Sequence, residues 1–266
     1  MTDAVVGKLS ERLAAAAPLF SAWVGVNESA VAEALAREAF DAVVLDMQHG
    51  ALDFAGASRA ILGVALAGLP AIVRVPVGDY PLASRLLDAG AAGIIAPMIN
   101  RRLDAERLVS FTKFPPLGER SWGPRAALPL SGLDAPAYFS AANAIVRTIV
   151  MIETRAALDA LDDILEVEGV DGVFIGPSDL SIALNDGRSA EPRGEALMKA
   201  AARVVERTKA HGKYASMFCF DGADARDMAA HGFRLCTVSS DQILLREAAR
   251  AELAAARASA PGKREK

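Results

Sequence analysis

The feature that most constrains the fold is a repeated alternation of short apolar runs with longer amphipathic segments. Several of the runs are continuous apolar blocks without strict polar alternation, which is typical of parallel strands covered on both faces. The pattern therefore predicts buried parallel strands. Eight such runs occur, at residues 21–26, 41–47, 71–76, 92–98, 144–153, 171–177, 213–220 and 232–240.

The segments between these runs have helical patterns. Residues 29–40 begin at a serine that can cap a helix, and their apolar residues recur at helical spacing. Residues 79–90 combine an aspartate cap, a proline just inside the start and a glycine at the end. Residues 154–167 and 195–210 are similar in kind. Because strand and helix alternate throughout, we predict an α/β protein, and eight units favour a single-domain (β/α)8 barrel, or TIM barrel.

The chain length fits one such barrel, at 266 residues. We expect an N-terminal segment at 1–19, the barrel at 20–258 and a charged, flexible tail at 259–266. Two stretches exceed the repeat, namely the Pro- and Gly-rich residues 114–143 and the loop 185–194. Long loops in compact domains are often functional, so we interpret 114–143 as a lid or a subunit contact, with a solvated surface loop as the alternative.

Composition and charge exclude several classes of protein. Hydrophobic residues make up 52%, charged residues 23%, and the net charge is −4, as in an ordinary globular protein. No dense run of Lys and Arg occurs, so we expect no nucleic-acid partner. No apolar run reaches the roughly 18 residues of a membrane span, and charged residues interrupt any signal peptide, so we expect no membrane association and a cytoplasmic location. Cys219 and Cys236 lie in apolar runs and should be buried free thiols.

Two carboxylates fall at the ends of neighbouring strands. In a (β/α)8 barrel the active site lies at the carboxyl ends of the strands. Glu153 ends the fifth run, and Asp179 follows the sixth, 26 residues later, which is one strand–helix unit. Adjacent strands would place the two side by side, and two carboxylates with room for water suit Mg²⁺ or Mn²⁺. The alternative is that each carboxylate caps a helix, and the two roles can coexist.

Further polar candidates lie on the same face. His49 follows Asp46, whose carboxylate could hold the imidazole in one orientation and make it a better base, although a structural histidine is the alternative. Arg74 ends an apolar strand, where it should meet a substrate oxyanion or form a fixed ion pair with a neighbour such as Asp46. The turn that ends at Asp179 opens a helix, whose free N–H groups would bind a carboxylate.

The lysines are informative by their positions. An imine-forming aldolase needs a lysine inside the barrel mouth. Lys113 ends a helix and Lys213 begins a strand, so both belong to the opposite face, as do His211 and His231. This placement disfavours imine chemistry and leaves a metal as the electrophile.

Several segments together resemble the HpcH/HpaI aldolases, the metal-dependent (class II) pyruvate aldolases of the 4-hydroxy-2-oxo-heptanedioate and 2-keto-3-deoxy-sugar acid type. The resemblance extends over residues 20–250 in consistent order and implies cleavage of 4-hydroxy-2-oxo acids to pyruvate, or a related 2-oxo acid, plus an aldehyde. The matching segments are FDAVVLDMQHG, IVRVP, LLDAGAAGIIAPMI, FPPLGERSWG and MIETRAALDALDDILEVEGVDGVFIGPSDLS.

The resemblance also implies roles for the candidate residues. Glu153 and Asp179 would bind the divalent metal, Mg²⁺ or Mn²⁺, with Co²⁺ as a further candidate. Arg74 would stabilise the enolate oxygen together with the metal. His49, oriented by Asp46, would act with a metal-bound water as the acid and base on the 4-hydroxyl.

Substrate binding and assembly follow from the same resemblance. The turn of Gly176, Pro177, Ser178 and Asp179 would hold the pyruvate carboxylate, mainly through the last two residues. Asp88 matches a position that reaches a neighbouring subunit's site in relatives. Family members are commonly homohexamers, described as trimers of dimers, with the last helix exchanged between subunits.

Some positions depart from the family pattern. Met151 stands where many relatives have Gln, Gln48 replaces a Glu of some members, and residues 124–140 match weakly. Two other functions remain as alternatives. One is an acyl-CoA lyase of the citramalyl- or malyl-CoA type, and the other is a non-catalytic barrel that binds a 2-oxo acid.

Overall fold

A closed barrel of eight parallel strands forms the centre of the molecule, which confirms the predicted (β/α)8 fold. The structure, a computed structural model, describes residues 4–15 and 17–258. The strands occur around the barrel in chain order. They are β1 (Leu19–Val24), β2 (Ala42–Asp46), β3 (Ala71–Arg74), β4 (Gly93–Ala96), β5 (Arg147–Ile152), β6 (Gly172–Ile175), β7 (Tyr214–Met217) and β8 (Leu235–Thr237).

Successive side chains of each strand point alternately into the barrel and towards the surrounding helices. Trp23, Ile149 and Phe174 belong to the cluster inside the barrel, whereas Val24 and Val150 belong to the cluster beneath the helices. Both faces of the strands are therefore apolar, which is why the sequence shows continuous apolar runs.

Helices cover the outside of the barrel. They are α1 (Lys8–Ala14), α2 (Ser29–Ala36), α3 (Phe54–Leu66), α4 (Tyr80–Asp88), α5 (Arg102–Thr112), α6 (Ala127–Ser131), α7 (Ala135–Ile145), α8 (Arg155–Asp159), α9 (Leu161–Leu165), α10 (Pro177–Leu184), α11 (Glu195–Ala210), α12 (Gly222–Ala230) and α13 (Asp241–Ala258). The bounds of α11 agree with the prediction, whereas the predicted helix 154–167 is divided in two at Ala160.

The capping aspartate and the terminal glycine that predicted α4 have the expected roles in the structure. The Asp79 side chain accepts a hydrogen bond from the Leu82 N–H at 3.3 Å, which satisfies one free donor of the first turn. After the helix, Gly90 turns the chain towards β4 with a φ of 103°, a conformation that glycine adopts without steric cost.

The amino-terminal face of the barrel is closed by α1. Leu9 and Leu13 of this helix join Leu19 and Leu235 in the cluster inside the barrel. The expected N-terminal segment thus contributes to the interior, and β1 already begins within it.

The long segment 114–143 is not a lid over its own barrel mouth. It connects the end of α5 to the beginning of β5, so it lies on the amino-terminal face, opposite the mouth. Much of it is helical, in α6 and α7, and the Val5 N–H donates to the Leu130 carbonyl at 2.8 Å. Tyr138 is fully buried there. The lid interpretation was therefore wrong, while the subunit contact stays a prediction.

The last helix, α13, has little contact with the rest of its own chain. Asp241 is its one buried residue within the described range, and Leu245 and Leu253 are exposed. Exchange of this helix between subunits stays a prediction, and the predicted tail 259–266 lies outside the described residues. None of the helices in the described parts of the chain has the length and apolar composition that a membrane crossing requires.

Lys113 lies buried on the amino-terminal face, as the sequence predicted. Its ammonium donates to Asp171 Oδ2 at 2.8 Å and to the carbonyls of Asn143 and Val146 at 2.9 and 2.7 Å. Burial lowers its pKa, and the Asp171 carboxylate acts in the opposite direction. This lysine is therefore committed to a structural ion pair.

We expect Lys113→Ala to lower the free energy of unfolding by about 3 kcal/mol, because it removes a buried cation and leaves polar partners unpaired. Urea denaturation measures the change. Lys199→Ala is the control, since Lys199 forms an exposed pair with Glu195 and should change stability by less than about 0.5 kcal/mol. Equal losses in the two variants would contradict the structural role of Lys113.

Candidate active site

The carboxyl ends of the strands surround a cavity of about 450 Å³. A second cavity, of about 610 Å³, lies on the amino-terminal face. We place the candidate site at the mouth, because active sites of (β/α)8 barrels lie at the carboxyl ends of the strands. The predicted residues that line the mouth cavity are Asp46, His49, Arg74, Gly176, Pro177, Ser178 and Asp179.

Glu153 lies directly behind the wall of this cavity. It follows the last residue of β5 and is 3% exposed. Its Oε1 atom accepts a hydrogen bond from the Met98 N–H at 2.7 Å. Its Oε2 atom lies so close to Gly176 that a Cβ there would be 2.7 Å away. The carboxylate is therefore fixed between the β4–α5 loop and the start of α10.

Asp179 lies in the first turn of α10, close enough for its negative charge to act on Glu153. It is exposed, and within residues 4–15 and 17–258 its carboxylate receives no hydrogen bond. Burial raises the pKa of Glu153; the Met98 N–H acts against this, and the negative charge of Asp179 adds to it. The first turn of α10 begins with Pro177, and its next N–H groups have no partner in the helix. This arrangement suits a bound cation beside a bound carboxylate.

Arg74 and Asp46 form a two-point ion pair at the ends of β3 and β2. The two residues are partners in the strand register. Arg74 Nε donates to Asp46 Oδ1 at 2.8 Å, and Nη2 donates to Oδ2 at 2.7 Å. The guanidinium also lies over the Trp23 ring, 4.8 Å from its centre. The ion pair that the sequence left as an alternative for Arg74 is therefore present, and it fixes the direction of the guanidinium.

The Asp46 carboxylate stays ionised in this environment. Burial alone would raise its pKa, but the hydrogen bonds and charge of Arg74 and the N–H groups of the following loop outweigh it, so the pKa lies below its ordinary value. Trp23 Nε1 also donates to Asp46 Oδ2, at 3.3 Å. Asp46 is thus a negatively charged group that holds Arg74 and the loop after β2 in place.

His49 lies on the cavity wall, but its link to Asp46 differs from the predicted one. Asp46 Oδ1 accepts the backbone N–H groups of Gln48 and His49, at 3.0 and 3.3 Å. The carboxylate therefore positions the loop that carries His49, and its two side-chain donors are Arg74 and Trp23.

Sequence reasoning missed several residues that shape the mouth. Trp23, Phe174 and Phe218 form its apolar wall. Asp241 accepts the N–H groups of Gly25 and the next residue at 3.0 and 2.9 Å, which fixes the loop after β1. The position of Asp241 directly after the last strand was a usable signal, whereas the apolar run of β1 gave none for Trp23.

Asp88 lies outside this cavity. It ends α4 and accepts a hydrogen bond from Arg120 Nη2 at 2.7 Å, and burial raises its pKa. It lines a separate surface pocket with Arg85 and Arg125. A role for Asp88 at a neighbouring subunit's site stays a prediction.

The fold and this set of residues define an α/β-barrel enzyme with an acidic pair, a fixed guanidinium and an imidazole at one mouth. The model of the HpcH/HpaI aldolase/citrate lyase family matches residues 19–248. The chain belongs to this family, which confirms the resemblance seen in the sequence. Enzymes of the family generally depend on a divalent metal.

Similar proteins support the same assignment. A hydroxypyruvate/pyruvate aldolase of Rhizorhabdus wittichii is 42% identical, with 91% of this chain and 95% of that protein covered. A 5-keto-4-deoxy-D-glucarate aldolase of Shigella dysenteriae is 31% identical, with 92% and 95% covered. The crystal structure of a family member from Burkholderia cenocepacia is 34% identical, covers 94% of this chain and 99% of that one, and has a TM-score of 0.85. The chain is a carbon–carbon lyase of the aldolase type.

We expect Gly176→Ala to lower the lyase activity by about tenfold or more, because the new Cβ would push Glu153 Oε2 from its place and touch Met151. Steady-state kinetics on an aldol substrate would measure the loss. Gly222→Ala provides the control, since a Cβ at Gly222 would meet no atom within 4 Å. Full activity in Gly176→Ala would show that this close approach is unimportant.

Proposed function

We propose that the chain cleaves and forms 4-hydroxy-2-oxo acids, giving pyruvate or a related 2-oxo acid plus an aldehyde, with a divalent cation at Glu153 and Asp179. The observation that carries the proposal is the position of two carboxylates at the mouth, Glu153 behind the cavity wall and Asp179 on it, beside the fixed Arg74 guanidinium. The names of the aldolase relatives, which include hydroxypyruvate, pyruvate and deoxy-sugar acids, support a 2-oxo acid as the common substrate part.

The donor set fits a hard divalent cation. Within the described residues neither carboxylate forms an ion pair with a cationic side chain, and the Arg74 guanidinium acts on Glu153 from further away. In the same parts of the chain that the structure describes, no group of three or more His, Cys, Asp or Glu side chains is arranged to hold a metal. The protein would therefore supply two side-chain ligands to the cation. Two protein carboxylates leave coordination positions open for water and substrate, as Mg²⁺ and Mn²⁺ prefer, and Co²⁺ is a further candidate. Such a cation would supply Lewis-acid stabilisation of a developing negative charge.

The substrate is bound by the chain's own residues at both ends of its 2-oxo acid group. The free N–H groups of Ser178 and Asp179 would hold the carboxylate at the start of α10, after the turn of Gly176 and Pro177. Arg74 uses Nε and Nη2 for Asp46. Its Nη1 group donates to no acceptor in the described parts of the chain and would donate to the 2-oxo oxygen as that atom gains charge.

His49 would carry out the proton transfer at the 4-hydroxyl. In cleavage the imidazole would accept the proton of the 4-hydroxyl, with a water molecule as the alternative relay. The C3–C4 bond then breaks, its electron pair passes to the 2-oxo oxygen opposite Arg74, and C4 leaves as the aldehyde carbonyl. A water molecule then supplies a proton to C3, which completes pyruvate, and the proton on His49 returns to solvent. Asp46 would act indirectly, by fixing Arg74 and the loop that carries His49.

Assembly into a homo-oligomer accompanies this function in our proposal. The exposed leucines of α13, Leu245 at 72% and Leu253 at 50%, would be covered by another subunit. A hexamer would also allow Asp88 to act at a neighbouring mouth.

Exchange of the pyruvate C3 protons for deuterium tests the proposed cation site. We expect exchange, followed by NMR, to need Mg²⁺ or Mn²⁺, to stop with EDTA, and to fall by about a hundredfold or more in Glu153→Gln and Asp179→Asn. Asp186→Asn is the control, because Asp186 lies in an exposed loop. Exchange that continues unchanged in EDTA would exclude the metal-dependent mechanism.

A comparison of two reactions tests His49. We expect His49→Ala to slow aldol cleavage by about a hundredfold while pyruvate proton exchange falls much less, because only cleavage needs the 4-hydroxyl to lose its proton. His231→Ala on the opposite face should leave both rates unchanged. Equal losses of both reactions in His49→Ala would contradict this division of roles.

A further inference from the structure

Met98, in the loop between β4 and α5, has a backbone conformation that its residue type disfavours. Its φ is 56°, in the left-handed region, where a side chain crowds the backbone. Among the described residues, the other non-glycine residues with positive φ are Asp186 and Ser239. The Met98 side chain is 39% exposed, so burial of that side chain does not explain the conformation.

The N–H of the same residue donates to Glu153 Oε1 at 2.7 Å. Within the described residues it is the hydrogen-bond donor to this carboxylate, and Glu153 is nearly fully buried. A buried carboxylate that keeps one free oxygen needs its other oxygen held in place. The remaining oxygen, Oε2, lies beside Gly176, which lines the mouth cavity.

We propose that Met98 is a positioning residue, whose left-handed backbone holds Glu153 Oε1 so that Oε2 is presented to the cation. The inference rests on the proposed cation site. The geometry requires both features together: the N–H points at Glu153, and the chain must turn at once to bring Ile99 into the core. The positive φ of Met98 allows its N–H to point at Glu153 while the next residue enters the core.

Residue type at this position should then control metal binding through the backbone. Glycine adopts positive φ freely, whereas a β-branched residue strongly disfavours it. A β-branched residue would relax by rotating the peptide group between Pro97 and residue 98. That rotation would carry the N–H away from Glu153 and release Oε1.

Mn²⁺ affinity, measured by electron paramagnetic resonance on the full chain without substrate, tests the proposal. We expect Met98→Val to weaken Mn²⁺ binding by about tenfold or more, while Met98→Gly and Met98→Ala stay within about threefold of the natural chain. A methionine ester at position 98, which lacks only the N–H, should weaken binding as Met98→Val does. Asp186→Val is the matched control, because it places the same residue at a positive φ far from the mouth, and it should leave Mn²⁺ affinity unchanged.

The outcomes separate this inference from the proposed function. If the natural chain binds Mn²⁺ and both Met98→Val and the ester bind it equally well, Met98 has no positioning role. Equal weakening in Met98→Gly and Met98→Val would assign the effect to the side chain and would also overturn the proposal. If the natural chain binds no Mn²⁺, the cation site itself is wrong, and the role of Met98 fails with it. Melting temperatures in EDTA identify any variant whose fold is lost, in which case the ester decides.

Discussion

The pairing of β1 with β8 is the constraint on which the rest of the structure depends. Closure fixes the register of every strand and brings all eight carboxyl ends to one mouth. Asp46 and Arg74 are register partners in β2 and β3, so closure sets their ion pair. Glu153 and Gly176 follow the paired ends of β5 and β6, so closure also sets the contact that confines the carboxylate.

The three carboxylates at the mouth differ in whether a cationic side chain neutralises them, and this difference determines which of them can bind an added cation. Asp46 is buried but ionised, because Arg74 binds it at two points, and a buried charge of this kind is tolerated only with a partner. In the parts of the chain that the structure describes, Glu153 and Asp179 have no such partner, and burial raises the pKa of Glu153. The first pair is a fixed scaffold, and the second is a place where an added positive charge would lower the free energy of the buried carboxylate.

The elements with a strong local signal could be predicted from the sequence. The strands and most helices occur where periodicity and caps placed them, and residues at strand ends gave most of the mouth cavity. The lid interpretation of 114–143 was wrong, because length alone does not tell which face a loop occupies, whereas the order of strand and helix does. Trp23 was missed because an apolar strand looks the same whether a residue ends inside the barrel or beneath a helix.

The sequence alone determined the eight-unit repeat, and with it the barrel and the spacing that brings Glu153 and Asp179 to neighbouring strands. These properties follow from local periodicity and chain order, which are visible in the sequence before the fold is known. Only the tertiary structure decided that Asp46 binds Arg74 and a backbone loop, and that the Met98 N–H holds Glu153. Such pairings depend on rotamers, burial and backbone direction, which arise only when distant segments pack together.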